Sequence, residues 1–237
     1  MASTGWDESA EAWIASMGER GDWGREHVLD PAMLARLEGR RFERALDVGC
    51  GEGRFCRLLR ARGVPVVGID PTERLLEEAR KRDPDGDYRL ARAESLSFPD
   101  HSFDLAVSYV TLVDIADFRT AIREIARVLK PSGTFLIANL NSFISTSPRG
   151  WFRDRAGERV HFPVDRYLEE FATWPEWAAG IRIENWHRPL SAYMDALLGS
   201  GFQLRFFDEP RPASGDSARQ DYYRRAPWFL IMEWQRS

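Results

Sequence analysis

Residues 45–53 read ALDVGCGEG, a short apolar run followed by three glycines within five positions. The apolar run indicates a buried strand, and the spacing of Phe55, Leu58 and Leu59 indicates that a helix follows it. Glycines at such a turn let a ligand approach the backbone, where the first N–H groups of the helix are free to bind it. The pattern therefore predicts a nucleotide-binding loop. A tight turn that needs glycine for its conformation alone is the alternative.

The chain around this loop alternates between apolar runs and helical patterns from residue 44 to residue 140. This alternation is typical of βαβ units and a mostly parallel sheet. We therefore expect an α/β fold with helices on both faces of the sheet. The predicted strands cover residues 45–48, 64–69, 88–90, 103–107, 134–140, 203–207 and 228–234.

The 237 residues are enough for one domain with a single large core. We expect that domain, residues 1–237, to divide into four segments. They are an N-terminal helical cap (1–43), a cofactor-binding core (44–140), an aromatic insertion (141–188) and a C-terminal helix with the last strands (189–237).

Three features of the flanking segments carry further expectations. In the cap, helices are predicted from Ser9 to Met17 and from Asp30, as the N-cap, to Gly39. Nine aromatic residues lie between Trp151 and Tyr193, some at helical spacing, which indicates either a hydrophobic layer over the sheet or a lid around an apolar acceptor. The aromatic residues at helical spacing are Tyr167, Phe171 and Trp174. In the C-terminal segment, residues 210–224 are predicted to form a polar loop.

Composition excludes several classes of protein. With 33 Lys and Arg against 37 Asp and Glu, the formal charge is -4, so no overall attraction for nucleic acid exists. No run approaches 18 apolar residues, and the N-terminus lacks the features of a signal peptide. Only Cys50 and Cys56 are present, which excludes a disulfide framework. We expect a cytoplasmic protein with neither a nucleic-acid nor a membrane partner.

The chemistry of the loop favours one type of adenosine cofactor. Asp70 ends the second strand, where its carboxylate can accept hydrogen bonds from a ribose diol. Arg54 occupies the place of the third glycine in dinucleotide-binding loops, and Asp47 is unfavourable beside a pyrophosphate but favourable beside an ammonium group. A cofactor with an amino-acid tail is therefore favoured. An NAD(P)-dependent oxidoreductase and a noncatalytic adenosyl-ligand-binding protein are the alternatives.

Four blocks in order resemble the class I S-adenosylmethionine-dependent methyltransferases. They are residues 45–53, 67–70 (VGID), 93–104 (AESLSFPDHSFD) and 127–134 (RVLKPSGT). The resemblance implies a Rossmann-like, seven-stranded, mostly parallel sheet whose last strand is antiparallel between the fifth and sixth. It also implies S-adenosyl-L-methionine as cofactor and methyl transfer to oxygen, nitrogen or carbon of a small-molecule metabolite.

The resemblance also assigns site residues. Many relatives carry an aspartate for the adenine amino group where this chain has Arg92, so the Ala93 N–H or the Glu94 carboxylate is expected to bind adenine instead. Trp13, Trp23 and Arg25 are placed near the cofactor mouth, where Arg25 meets the methionine carboxylate or is a simple surface arginine. The predicted cofactor-binding residues are Asp47, Gly49, Cys50, Gly51, Asp70, Pro71, Ala93, Glu94 and Tyr109.

The class of methyl acceptor is narrowed mostly by sequence motifs that this chain lacks. Residues 108–111 (SYVT) lack the Asn/Asp-Pro-Pro-aromatic signature of enzymes that methylate amino groups of nucleobases or glutamine. Residues 139–141 (NLN) lack the acid and amide that hold magnesium in catechol-type enzymes, so no metal is expected. We expect residues 1–40 and 141–195 to bind a partly apolar or aromatic acceptor.

His187 is the predicted catalytic residue. It precedes Pro189 at the start of a helix that is expected to lie over the carboxyl ends of the strands. There an imidazole can act as general base or donate a hydrogen bond to the substrate. A packed or surface histidine is the alternative.

Overall fold

The computed structural model describes residues 4–147, 150–177 and 180–237. Its helices are α1 (Trp6–Met17), a π-helical turn (Arg25–Leu29), α2 (Asp30–Ala35), α3 (Arg54–Arg60), α4 (Glu73–Arg82), α5 (Phe118–Val128), α6 (Ser142–Ser145), α7 (Leu190–Gly199) and α8 (Ser217–Arg224). Its strands are β1 (Ala45–Val48), β2 (Val66–Asp70), β3 (Asp87–Leu90), β4 (Phe103–Tyr109), β5 (Leu129–Leu140), β6 (Phe152–Arg153), β7 (Arg159–His161), β8 (Phe171–Thr173), β9 (Glu176–Trp177), β10 (Ile181–Arg182), β11 (Asn185–His187), β12 (Phe202–Asp208) and β13 (Phe229–Arg236).

Seven strands form the central sheet in the order β12-β13-β5-β4-β1-β2-β3. The strands β1 to β5 are parallel to one another, and β13 pairs antiparallel with both β5 and β12. The predicted Rossmann-like, mostly parallel sheet with an antiparallel last strand is therefore confirmed. Val48 lies opposite Ile69 of β2 and Ser108 of β4, so the loops that follow these three strands meet at one edge.

A hydrophobic core lies on each face of the sheet. On one face, Phe118 and Ile122 of α5 pack with Leu197 of α7. On the other face, Phe55 of α3 and Met33 of α2 belong to a second cluster. These side chains are shielded from water, and burial of this kind contributes about 1.5–3 kcal/mol for each large apolar side chain. Helices on both faces are thus confirmed.

The aromatic insertion differs from the prediction. The helical spacing of Tyr167, Phe171 and Trp174 does not produce a helix, because Phe171 belongs to β8, which pairs antiparallel with β11. The insertion forms three two-stranded ribbons, β6-β7, β8-β11 and β9-β10. Each strand is only two or three residues long, too short for its sequence pattern to separate a strand from a helix.

Two other segments also differ. Residues 210–224 were predicted as a polar loop, yet they include α8, whose N-terminus is capped by the Asp216 carboxylate accepting from the Arg219 N–H. The helix predicted from Asp30 ends earlier, at Ala35, and continues from a π-helical turn. Asp30 is consequently not its N-cap, and its carboxylate is used elsewhere.

Candidate active site

A cavity of about 410 Å³ lies at the carboxyl ends of β1, β2 and β4. The cap contributes Trp6, Trp13 and Arg25 to its wall, and the loop after β4 contributes Thr111 and Asp114. The structure brings together in this wall all nine predicted cofactor-binding residues, namely Asp47, Gly49, Cys50, Gly51, Asp70, Pro71, Ala93, Glu94 and Tyr109.

The glycines of the loop have different roles. All three have positive φ angles, +74° at Gly49, +55° at Gly51 and +75° at Gly53, which favour glycine. A Cβ at Gly49 would lie 2.1 Å from a carbon of Thr111, so this glycine allows the loop after β4 to pack closely. A Cβ at Gly51 would meet no atom within 4 Å. Because Gly51 lines the cavity, its missing side chain leaves room for a ligand.

Asp70 is positioned by two backbone N–H groups. Its Oδ2 accepts from the Gly51 N–H at 3.0 Å, and its Oδ1 accepts from the Thr72 N–H at 2.9 Å. An ionised carboxylate has about four acceptor sites, so both oxygens can still accept from a ribose diol. Burial raises the pKa of Asp70 to about 6.

Asp47 carries a buried oxygen that lacks a partner. Its Oδ2 accepts from the Cys56 thiol at 3.2 Å, but its Oδ1 has no hydrogen bond in the described structure. Burial raises the pKa of this carboxyl to about 7. An unpaired buried carboxylate is costly, and an ammonium group on the cavity side would both neutralise and hydrogen-bond it. The residues present therefore fit a ligand with a ribose at Asp70 and an amino group at Asp47.

The cap is attached to the loop by a buried ion pair. Arg54 forms a bidentate pair with Asp30, with N–O distances of 2.6 and 2.9 Å, and the Tyr109 hydroxyl donates to the same carboxylate at 2.7 Å. The Trp13 indole also donates to Glu52 at 3.1 Å. Sequence analysis identified Arg54 only as a missing glycine. Its pairing with Asp30 depends on a contact between distant segments that no local pattern reveals.

The remaining cap and adenine-side residues are placed as follows. The Arg25 guanidinium lines the cavity, lies 4.9 Å from the centre of the Trp13 ring and pairs with Asp22. Trp23 is absent from the wall and stacks on Tyr223 at 4.9 Å. Arg92 and Glu94 both line the cavity and form an ion pair at 3.3 Å. The departure at Arg92 thus changes the charge next to Glu94 without removing that carboxylate from the site.

His187 lies outside this wall. Its side chain is fully buried, with Nδ1 2.7 Å from the Ser145 hydroxyl oxygen and Nε2 2.9 Å from the Tyr167 carbonyl oxygen. Because a carbonyl accepts only, Nε2 carries the proton, and Nδ1 accepts from the serine. Burial lowers the pKa of His187. The geometry therefore gives no support to the predicted general base, since both ring nitrogens already have partners.

The insertion contributes no lining residue from its described part. It instead holds the loop after β4. The Trp186 N–H donates to the Val113 carbonyl at 2.7 Å, and the Asn185 side-chain amide donates to Asp114. No motif of the sequence singled out Asp114. The available signal was a carboxylate five residues beyond the carboxyl end of a central parallel strand, where ligands bind in open α/β sheets.

Neither a metal-binding cluster nor a membrane-spanning helix is found in the part of the chain that the structure describes. Within residues 4–147, 150–177 and 180–237, no three His, Cys, Asp or Glu side chains are grouped so that they could hold a metal ion. Over the same ranges, the helices all fall short of the length and apolar character needed to cross a membrane.

Comparisons with known proteins identify the family of the chain. A family model described as "Methyltransferase domain" matches residues 46–137. The malonyl-[acyl-carrier protein] O-methyltransferase of Salmonella typhimurium is 37% identical over 180 residues, which are 75% of this chain and 71% of that protein.

Solved structures extend the agreement to nearly the whole chain. An S-adenosylmethionine-dependent methyltransferase from Mesorhizobium loti has a TM-score of 0.77 and 32% identity, covering 87% of this chain and 96% of that one. A protein from Listeria monocytogenes has a TM-score of 0.79 and 28% identity with the same coverage. The chain belongs to the class I S-adenosylmethionine-dependent methyltransferases. It is thus an enzyme, and S-adenosylmethionine is its cofactor.

Proposed function

We propose that this enzyme transfers a methyl group to oxygen, nitrogen or carbon of a small-molecule metabolite, without a metal ion. The observation that carries the proposal is a cavity whose wall combines two chemically different groups of residues. Asp47, Gly51 and Asp70 fit the cofactor. Trp6 and Ile115 lie in the same wall, outside the predicted cofactor set, and offer a partly aromatic surface to an acceptor.

The roles of the loop residues follow from their geometry. Asp70 would hold the ribose, Gly51 would leave room beside it, and Asp47 would bind the amino group of the cofactor. Bound S-adenosylmethionine supplies an electrophilic methyl group on a positively charged sulfur. The protein contributes orientation and exclusion of water, which together account for much of the acceleration in such a displacement. The cap over the loop, held by Arg54 and Asp30, supports both roles.

We extend this proposal to the whole chain as a single domain in which each segment has a role. The cap closes the cofactor loop, the core binds the cofactor, and the insertion acts by supporting the loop after β4 rather than by touching the acceptor. Cys50 and Cys56 are both free thiols, which suits the cytoplasmic location proposed for the enzyme. The S. typhimurium relative is named for methylating a malonyl group on a carrier protein, so a malonyl thioester belongs among the acceptors tested here.

The test is a methyl-transfer assay with S-adenosylmethionine and a panel of phenols, aryl amines, aliphatic amines and a malonyl thioester, with and without EDTA. We expect S-adenosylhomocysteine and a product heavier by one CH₂ unit, in equal yield with the chelator. Loss of turnover in EDTA that magnesium restores would contradict metal independence. Methylation of a nucleic acid or a folded protein in place of every small molecule would contradict the acceptor class.

A further inference from the structure

The loop after β4 is held from the insertion at several points. Arg188 is fully buried, and its guanidinium donates to the carbonyl oxygens of Leu112 at 3.0 Å, Ile115 at 2.6 Å and Ala116 at 3.0 Å. The Trp186 N–H donates to the Val113 carbonyl of the same loop. A buried arginine that satisfies three carbonyls gives a short loop one defined conformation. Asp114 is thus carried on a rigid support at the edge of the cavity.

Asp114 is the carboxylate that this support presents to the cavity wall. The Asn185 amide donates to its Oδ1, and Trp6 lies in the same cavity wall and lowers the pKa of this carboxyl. These contacts orient the carboxylate and leave further lone pairs free. Burial raises the pKa of Asp114 well above its ordinary value, so this carboxylate holds a proton more strongly than an aspartate in water does.

The charged groups around Asp114 come from several elements. Arg25, from the π-helical turn, lowers the pKa of Asp114, whereas Asp70, at the end of β2, raises it. Asp7 and Glu8 of α1 line the same cavity. Arg25 itself is paired with Asp22, so its attraction for the Asp114 carboxylate is partly offset.

We propose that Asp114 is the proton acceptor of the methyl transfer, and that the acceptor nucleophile is a hydroxyl or an amine rather than a carboxylate. This inference rests on the proposed function above. As the lone pair of oxygen or nitrogen forms its bond to the methyl carbon, the carbon–sulfur pair passes to sulfur and neutralises the sulfonium. The proton of the nucleophile passes to the Asp114 carboxylate and later to water. One negative and one positive charge disappear together, so the step balances.

The arginines of the wall support the choice of acceptor class. Seven carboxylate side chains and three arginines line the cavity in the described structure. Each of these arginines already has an acidic partner: Asp22 for Arg25, Asp30 for Arg54 and Glu94 for Arg92. A carboxylate acceptor would face Asp114 while each arginine of the wall is already paired with an acid, so no arginine is free to offset the repulsion between the two carboxylates. A neutral hydroxyl or amine meets no such repulsion.

The first test does not need an acceptor. Carbon-13 NMR of the labelled enzyme, saturated with S-adenosylhomocysteine, follows the carboxyl carbon of Asp114, identified by its absence in Asp114→Asn. We expect it to titrate well above about 3.9, the value for an aspartate in water. Titration at the ordinary value would overturn the proposal whether or not an acceptor is known.

The second test compares turnover of the acceptor panel by the wild type, Asp114→Asn and a matched control, Asp195→Asn. Asp195 is exposed on α7 and is absent from the cavity wall. We expect Asp114→Asn to lower kcat for a phenol or amine by about 10²-fold or more and to remove the acidic limb of the pH–rate profile. Asp195→Asn should leave both unchanged. An unchanged profile in Asp114→Asn, or a malonyl thioester methylated at its carboxylate, overturns the inference.

Calorimetry separates failure of this inference from failure of the proposed function. All three proteins should bind S-adenosylhomocysteine with affinities within about twofold, because Asp114 and Asp195 lie outside the predicted cofactor-binding set. If the wild type does not bind it, the proposed function itself is wrong. If binding is intact but Asp114 titrates at the ordinary value or Asp114→Asn keeps the wild-type pH–rate profile, only the proposed role of Asp114 is wrong.

Discussion

At Gly51, both the backbone conformation and the space needed by a ligand favour a residue without a side chain. Its φ of +55° disfavours other residues, and the space beyond its Cα belongs to the cavity. Gly63 offers a matched comparison, since its φ is +77° and a Cβ there would also meet open space, but it lies outside the cavity wall. The two glycines therefore separate backbone strain from ligand contact.

We predict that Gly51→Val abolishes binding of S-adenosylhomocysteine, because the branched side chain would occupy the path of the ligand. Gly63→Val should bind normally. Both variants should lose a similar free energy of unfolding, about 1–3 kcal/mol, from the strain of a left-handed valine. Calorimetry and denaturant unfolding measure the two effects. Normal affinity in a folded Gly51→Val protein would show that the loop assignment is wrong.

The two buried aspartates predict a pH dependence of cofactor binding. Burial raises the pKa of Asp47 to about 7 and that of Asp70 to about 6, and the ligand needs both as ionised acceptors. Below these values, a proton must leave before the ligand binds. The Kd for S-adenosylhomocysteine should therefore fall by at least about tenfold between pH 5 and pH 8. Asp47→Asn should reduce this dependence to the part that Asp70 contributes, and a flat profile in the wild type would contradict the prediction.

The same shifts have the opposite effect on folding of the free protein. A carboxyl whose pKa is higher in the folded state than in the unfolded chain keeps its proton more tightly when folded. The contribution of Asp47 and Asp70 to the free energy of unfolding is therefore fully present below about pH 4 and is lost as the pH rises to about 7. Bound cofactor compensates for this loss because it supplies the missing hydrogen-bond donors.

Among the elements, β11 joins the insertion to the core. Its side chains point to different partners: Asn185 reaches the loop after β4, and His187 is buried between Ser145 and the Tyr167 carbonyl. Sequence alone placed a functional histidine on this segment because it precedes a helix start. The pairing of β11 with β8, twelve or more residues away, decides where the ring lies, and no local pattern contains that information.

We predict that His187→Ala lowers the free energy of unfolding by about 2–4 kcal/mol, since it leaves a void and removes the ring N–H that donates to the Tyr167 carbonyl. The shape of the pH–rate profile should not change. His161→Ala is the control, because His161 is exposed on β7 and should have little effect. Denaturant unfolding measures the free energy of unfolding of both variants, and turnover of an accepted substrate at several pH values measures their pH–rate profiles. A turnover loss of 10²-fold or more in a stable His187→Ala protein would restore the catalytic role predicted from the sequence.

The elements that were predicted correctly share a physical property. The strands β1, β2, β4 and β5 carry buried apolar runs, and the helices between them are apolar in a regular period. Glycine or capping residues separate these elements, such as Asp117, whose carboxylate accepts from the Thr120 N–H. The ribbons of the insertion and the helix α8 lack such a period. Their conformation depends on contacts with the cap and the sheet, as when Tyr223 of α8 stacks on Trp23. The cavity-lining residues beside the glycine loop were therefore predictable, and Trp6, Asp114 and Ile115 were not.

In the molecule as a whole, the cofactor site lies between two segments that are far apart in sequence. Trp13 and Asp30 of the cap contact Glu52 and Arg54 beside the loop, and the hydroxyl of Tyr109 joins them from β4. A ligand in the cavity touches the cap and the core at once. Its binding free energy therefore stabilises the closed arrangement of both segments, and this coupling can be measured as resistance to unfolding.

We predict that S-adenosylhomocysteine at 100 times its Kd stabilises the folded enzyme by about 2.7 kcal/mol. For a domain of this size, that corresponds to a rise in Tm of roughly 5–11 °C. NAD at the same concentration should produce no shift, because Arg54 fills the place of the third glycine and Asp47 repels a pyrophosphate. Gly51→Val should not respond to either ligand. Differential scanning calorimetry measures all of these, and a shift with NAD alone would make the oxidoreductase interpretation of the loop correct.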